Sequence, residues 1–277
     1  VVYRAIDAYH RLRPGLLAKT LLRLGEKYIY RNADKVLVTN ELMRDYVAAL
    51  SGTEAGPRLR VLDHGVDTGH FRPLPKDAEL CRVLGIAKDD PVILFLGTTY
   101  AFSGLAKLVE RMPELLAAYP GLKLLVMGAG EQDAELRRLV DDLSLQGCVI
   151  LTGMIAYSEL PSYLSVADFA LNPFEINEIT RDIIPIKMLQ YQASGLPVVS
   201  TPLPDLMKKH PAGLSGITYS KSDQIEDFAV ALRDTMESEN AKQQGARGLD
   251  FVKERYSVSS AIDSLERELE SLVEAAR

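Results

Sequence analysis

The sequence predicts an α/β protein built from doubly wound parallel sheets. Two observations carry that prediction. Short apolar runs and amphipathic stretches alternate at intervals of about 20–30 residues, the spacing of β–α–β units. The clearest run, Val92-Ile93-Leu94-Phe95-Leu96, is apolar at every position, as a parallel strand buried on both faces must be. A proline-rich stretch, Pro73-Leu74-Pro75, divides the alternation into a shorter first part and a longer second part.

In chain order, residues 1–6 read as a strand that closes on Asp7. An amphipathic segment follows from about Pro14 to Asn32. In it Lys19, Arg23, Lys27 and Arg31 recur every fourth residue, and Leu17, Leu21, Leu24 and Tyr28 take another face. That segment has two readings, a solvated helix face or a contact with an anionic membrane surface. Strands are expected at 33–40 and 59–62, with a helix at 41–50 between them. The second part starts at Pro91. Its strands are expected at 92–96, 122–127, 149–151, 169–172, 198–201 and 216–219. Its helices are expected at 105–118, 132–143, 157–166, 223–237, 241–255 and 258–275. Pro161 suits a first helical turn.

One stretch concentrates the signals. Asp182 to Pro197 reads as a loop, a short helix and a turn into Val198-Val199-Ser200. Pro185 fits the first turn, where a missing N–H costs nothing, and Gly195 fits a helix end. Ile186, Leu189 and Ala193 share a helical face and should be buried. The start of such a helix offers unpaired amides and partial positive charge, hence a place for an anion. Arg181, Asp182, Lys187 and Gln190 surround it. Strand ends are where open parallel sheets bind ligands. Here those ends read Gly97-Thr98-Thr99, Gly128-Ala129-Gly130-Glu131, Gly153-Met154-Ile155 and Asn172-Pro173-Phe174-Glu175. Glycine there lets backbone come close to a ligand.

Composition narrows the class. The chain has 277 residues, 47% hydrophobic and 25% charged, the balance of a globular protein. No apolar run reaches the roughly 18–20 residues that span a bilayer. The net charge of −6 argues against general nucleic-acid binding. The charge is uneven: residues 1–50 hold nine Lys/Arg against five Asp/Glu, a net +4, so the rest carries −10. Cys81 and Cys148 form no ligand pattern and read as buried small hydrophobes of a reducing compartment, which predicts a cytoplasmic setting. His10, His64, His70 and His210 show no metal spacing, and no nucleophile elbow or Gly-x-Gly-x-x-Gly fingerprint is present.

The Asp182–Val199 stretch resembles the donor-binding segment of retaining GT-B glycosyltransferases, in particular the family-4 (group 1) enzymes. Those show two glutamates eight positions apart, then small residues, Gly, a variable residue and Pro-Val-Val. Here the two positions are Asp182 and Gln190, and Gly195-Leu196-Pro197-Val198-Val199 keeps the tail. Ala33-Asp34-Lys35-Val36, and His64-Gly65-Val66-Asp67 followed by Phe71-Arg72-Pro73, resemble the end of the N-terminal domain in the same enzymes, with His64 in place of Asn and Ile6 in place of a cleft histidine.

The resemblance implies a GT-B architecture of Rossmann-like domains. Residues 1–72 would close the acceptor domain, with 73–90 a linker. Residues 91–255 would form the complete donor domain, and 256–277 a helix returning to the first domain. It also implies that roughly a hundred or more residues of the first domain precede Val1. The implied reaction moves a sugar from a nucleoside-diphosphate donor, a UDP- or GDP-sugar, to an acceptor hydroxyl with retention and no obligatory metal or cofactor. The basic stripe at 19–31, and not the resemblance, points to a glycan or lipid-linked acceptor reached at the inner face of a membrane, in glycan, polysaccharide or glycolipid biosynthesis.

Carried over by position, Gly97, Thr98, Ser103 and Gly104 approach the diphosphate. Gly128, Gly130, Glu131 and Ile155 frame the base, and Gln190 meets the ribose. Asp182 and the amides of Ile183 and Ile184 lie near sugar and diphosphate. Many relatives carry Arg and Lys where this chain has Thr98 and Ser103. Lys187 is the replacement cation and Arg181 the second choice. Asp182 has a second reading, as an N-cap. Two alternatives stand beside the transferase: a degenerate module that binds nucleotide sugar without turnover, and a GT-B nucleotide-sugar epimerase.

Overall fold

A computed structural model describes residues 1–5, 16–52 and 58–275. Ile6, Asp7, His10 and Pro14, named above, lie outside the described residues. Contacts divide the chain into two units, Val1–Gly65 with Tyr256–Arg277, and Val66–Arg255.

The first unit holds a three-stranded parallel sheet in the order β1 (Val2–Ala5), β2 (Lys35–Val38), β3 (Leu59–Val61). Its helices are α1 (Leu16–Asn32), α2 (Glu41–Ser51) and α11 (Val258–Ala275). Asn40 caps α2, accepting from the Met43 amide at 2.7 Å, and Gly52 ends it with φ +67°. Ala5, Tyr30, Val36, Val38, Met43, Val47 and Leu59 form one buried cluster. The last helix, α11, belongs to this unit. Glu268 and Ser271 of α11 take the ammonium of buried Lys35 on β2. Gly65 lies so close to α11 that a Cβ there would come within 2.9 Å of the Val258 Cα.

The second unit is a six-stranded, wholly parallel sheet in the order β6-β5-β4-β7-β8-β9. The strands are β4 (Val92–Leu96), β5 (Lys123–Met127), β6 (Val149–Gly153), β7 (Phe169–Asn172), β8 (Val198–Ser200) and β9 (Ile217–Tyr219). The connecting helices are α4 (Leu105–Ala118), α5 (Asp133–Asp142), α6 (Leu160–Ser165), α7 (Ile186–Ala193), α9 (Ile225–Glu237) and α10 (Ala241–Arg255). Val92, Ile93, Leu94 and Phe95 have no exposed surface, as the continuous apolar run requires.

Two short helices, α3 (Ala78–Val83) and α8 (Pro204–Lys209), were not expected, and the first half of the 157–166 segment is a 3₁₀ turn over Tyr157–Glu159. Six-residue helices give too few periods for a hydrophobic pattern to register. The division at Gly65–Val66 falls ahead of the proline-rich boundary because Val66 and Phe71 are buried in the second unit and His70 stacks on Tyr157 at 4.8 Å. Cys81 and Cys148 are free and only half-buried, not fully buried. The described residues contain no helix long and apolar enough to cross a membrane.

Candidate active site

The chain leaves β4 for β5 and β6 on one side, then returns to β7, β8 and β9 on the other. The switch point is therefore the gap between β4 and β7. β4 pairs with β5 along all five residues, but with β7 only at Ile93↔Phe169 and Leu94↔Ala170. The two strands part at their carboxyl ends, and α7 fills the opening. Tyr191, fully buried, accepts a 2.6 Å hydrogen bond from the Leu96 amide and lies 3.4 Å from the Leu171 carbonyl. Burial pushes its phenol well above the ordinary tyrosine range, so it stays protonated. Tyr191→Phe is expected to cost about 1–3 kcal/mol, because the Leu96 N–H loses its acceptor. An unchanged denaturation midpoint would mean that water reaches that amide.

One helical turn before Tyr191, on the same face, lies Lys187. It is 6% exposed. Its Nζ sits 3.8 Å from the centroid of Phe95 and 3.8 Å from that of Phe174, and it has no hydrogen-bond acceptor. A Cβ on Gly97 would lie 3.9 Å from its Cδ, so the first loop passes over the lysine stem. Burial holds its pKa well below the usual lysine range, and no charged neighbour contributes to that shift. Two ring faces favour the ammonium by about 2 kcal/mol each when desolvated. An isolated buried ion costs several kcal/mol and here lacks three acceptors. Desolvation outweighs the ring contacts, so burial disfavours the charged form of Lys187.

Other predicted residues sit differently from expectation. Ile186 is 49% exposed rather than buried, because α7 turns its Lys187, Met188 and Tyr191 inward instead. The Ser103 hydroxyl is fully buried and donates to Gln132 Oε1 at 2.9 Å. The Glu131 carboxylate accepts from the Ala101 amide at 2.6 Å, capping the 3₁₀ turn over Ala101–Ser103. The glycine amides are committed: Gly97 donates to Met127, Gly128 to Gly153 and Gly130 to Asp133 Oδ1. These glycines, with Gly104, let loops approach one another. A Cβ would meet the Pro173 carbonyl oxygen at 2.0 Å from Gly104, the Gly97 carbonyl oxygen at 2.0 Å from Gly128, and Thr99 Oγ1 at 2.7 Å from Gly130. Asp182 is not the N-cap of α7. That position is Pro185, and no side chain caps the helix.

Thr98 is exposed at the head of the loop, and Ile155, Ile183, Ile184 and Gln190 are half-buried. Arg181 is exposed and pairs with Asp182 at 3.5 Å.

Sequence reasoning missed several supports. Phe95 and Phe174 box the lysine. Asp133 accepts from Thr99 Oγ1 at 2.6 Å and ties the first loop to the second. Lys107 of α4 pairs with Glu175 at 2.7 Å, which raises the lysine's pKa. The i, i+4 spacing of Lys187 and Tyr191 was the available signal.

A cavity of 1080 Å³ opens at the opposite end of the sheet, beside Arg72, Lys76, Pro91, Asp168, Ser194 and Lys242. Its Lys76 and Asp168 satisfy each other at 2.8 Å, and Asp168 also accepts from the Val92 amide. The buried Ser194 hydroxyl beside it has no hydrogen-bond partner, and at the carboxyl end the Lys187 amine has none. Among the described residues no cluster of His, Cys, Asp and Glu is placed to hold a metal ion.

Residues 90–238 match the family model described as glycosyl transferases group 1. The chain belongs to that family. The group 1 chain is 26% identical over 241 residues to the GDP-mannose-dependent alpha-(1-6)-phosphatidylinositol monomannoside mannosyltransferase of Mycobacterium tuberculosis, covering 85% of this chain and 60% of that one. It is 29% identical over 202 residues to the alpha-monoglucosyldiacylglycerol synthase of Streptococcus pneumoniae, covering 70% of this chain and 43% of the other. It thus spans 60% or less of these two curated relatives. Among solved structures it superposes on sucrose-phosphate synthase from Thermosynechococcus elongatus with a TM-score of 0.77, at 21% identity over 99% of this chain and 68% of that one. It superposes on Anabaena Alr3699/HepE in complex with UDP-glucose with a TM-score of 0.78, at 19% identity over 98% of this chain and 72% of that one. The fold is that of GT-B glycosyltransferases.

Proposed function

We propose that the whole protein is a retaining, family-4 type glycosyltransferase. It moves a sugar from a nucleoside-diphosphate donor to a hydroxyl of a glycolipid or glycan acceptor, and the 91–255 region holds the donor. The observation that carries this reading is Lys187, an unpaired buried amine under Gly97 at the switch point, beside the uncapped start of α7. A diphosphate seated there supplies the acceptors that the amine lacks. Lys187 and the first amides of α7 then hold the negative charge that grows as the sugar–phosphate bond breaks.

The amides of Ile183 and Ile184 and the Asp182 carboxylate face the sugar. Gln190 meets the ribose, and Ile155 and the second loop frame the base. As the C1–O bond to phosphate breaks, the acceptor oxygen bonds C1 on the same face, and its proton passes to the leaving phosphate oxygen. No metal is required in this scheme. UDP and GDP are the candidate carriers, as the relatives' names include a GDP-mannose-dependent enzyme and a complex with UDP-glucose.

The test is incubation with UDP-glucose and GDP-mannose, following nucleotide release and the anomer formed by NMR. Release with a retained anomer supports the reading. Nucleotide binding without any release would favour the non-catalytic binding module, a reading that the uncharged Thr98 and the inward Ser103 support.

We propose that α1 is a peripheral contact with the inner face of the membrane, a reading that the glycolipid names of the relatives support. Leu17, Leu21, Leu24 and Tyr28 form an exposed stripe, with Lys19 and Arg23 exposed on the same helix and Arg31 tied to the Ser51 carbonyl at 2.6 Å. The chain is expected to float with vesicles containing anionic lipid and not with neutral ones. Equal flotation with both overturns this contact.

A further inference from the structure

The described residues contain two buried lysines, and they are opposites. Lys35 Nζ meets three oxygens: the Glu268 carboxylate, the Glu268 carbonyl at 3.1 Å and the Ser271 hydroxyl at 2.9 Å. Its three N–H donors are matched. Lys187 Nζ meets two aromatic faces and no oxygen.

The elements around Lys187 offer it no counter-charge. β4 presents Phe95, and the loop after it Gly97. β7 leads to Phe174 and then Glu175, whose carboxylate is taken by Lys107 at 2.7 Å. On α7 the next group on that face is the Tyr191 hydroxyl, which accepts from Leu96. The turn before α7 carries Arg181 and Asp182, paired with each other. A site built this way lacks anything that stabilises an ammonium by hydrogen bonding until an anion enters.

This inference rests on the donor-site reading above. We propose that the pocket takes its diphosphate together with one proton. In the absence of nucleotide Lys187 is the neutral amine, and a nucleoside diphosphate seated over Gly97 at the open end of α7 converts it to the ammonium, the proton coming from solvent. Phe95 and Phe174 are positioning residues that hold Nζ at the crevice in both forms. Burial without charged neighbours, and the downward pKa shift it causes, agree with the neutral empty state. The consequence is a pH-sensitive donor site. A bound state that carries one more proton than the free state binds more tightly as pH falls, by up to about tenfold per unit between the free and bound pKa values.

The experiment is calorimetric titration of the chain with UDP and with GDP, at about pH 8, where the terminal phosphate, with its second pKa near 6, is fully ionised. Running it in buffers of different ionisation enthalpy gives the number of protons taken up. The wild-type chain is expected to take up close to one proton per nucleotide. Lys187→Arg, which stays charged throughout, is expected to bind with uptake near zero. Lys187→Met is expected to bind at least about tenfold more weakly, also without uptake. The wild type gives a second readout needing no variant, a Kd that weakens steadily as pH is raised. Binding with no proton uptake and a flat pH profile overturns the inference and leaves the donor site standing. Uptake that persists in Lys187→Met also overturns it. Failure of both nucleotides to bind overturns the donor-site reading and the inference with it.

Discussion

Lys187→Met is expected to lower turnover by about 10²–10³-fold, about 3 kcal/mol of transition-state stabilisation, while the folded unit becomes more stable. The two effects have one cause. The amine sits between Phe95 and Phe174 with nothing to accept its hydrogen bonds. Leaving a buried polar group unsatisfied costs about 1–3 kcal/mol, and methionine fills similar space without that cost. The gain corresponds to a rise in Tm of about 2–4 °C per kcal/mol for a unit of this size.

The pH dependence has a definite sign. Lys187 has its pKa lowered by burial in the fold and an ordinary value of about 10.4 when unfolded. Between the two, the unfolded chain binds the extra proton, so stability of the empty chain rises with pH through that window. The rise should vanish in Lys187→Met. Comparing kcat on UDP-glucose and GDP-mannose with Tm across pH tests both halves. Unchanged turnover removes Lys187 from the mechanism, and a lowered Tm at every pH would mean that the amine has a partner.

Gly128→Ala is expected to cost about 4 kcal/mol or more and to abolish donor binding. Gly128 has φ +136°, and a Cβ there would lie 2.0 Å from the Gly97 carbonyl oxygen and 2.8 Å from its carbon. Both clashing atoms are backbone, so no rotamer change relieves them. The loop that covers Lys187 must move. Gly153→Ala is the control. Gly153 also has positive φ, at +71°, but no atom lies within 4 Å of its Cβ position. That change is expected to cost only the strain of the left-handed conformation, about 1–2 kcal/mol. Urea denaturation of the two variants separates the terms. Equal losses would show that conformation, not loop packing, fixes Gly128.

How much of this was legible in the sequence follows from which forces are local. The strand–helix alternation exposed the parallel sheets, because two-sided burial forces continuous apolar runs such as Val92–Leu96. The glycines marked loops whose close approach to one another the structure shows. A sequence shows that a Cβ is not tolerated, not whether a ligand or another loop stands in its way, and here Gly97, Thr99 and Pro173 do. The polar residues of Asp182–Gln190 drew attention to α7, yet their directions could not be read. A helix packed on several sides has no single apolar stripe, so Ile186 turned outward and Lys187 inward.

Composition and periodicity thus determined the α/β class and the order of the strands in the chain, because each follows from burial along a local repeat. Family membership was legible in the spacing from Asp182 to Val199. Only the tertiary structure decided that β4 and β7 part at their ends, that Tyr191 bridges the gap, and that Lys187 is held between Phe95 and Phe174 without an acceptor. Those facts depend on residues up to 95 positions apart meeting at one point. The free energy of an amine depends on what surrounds it there, and no local pattern in the chain records that.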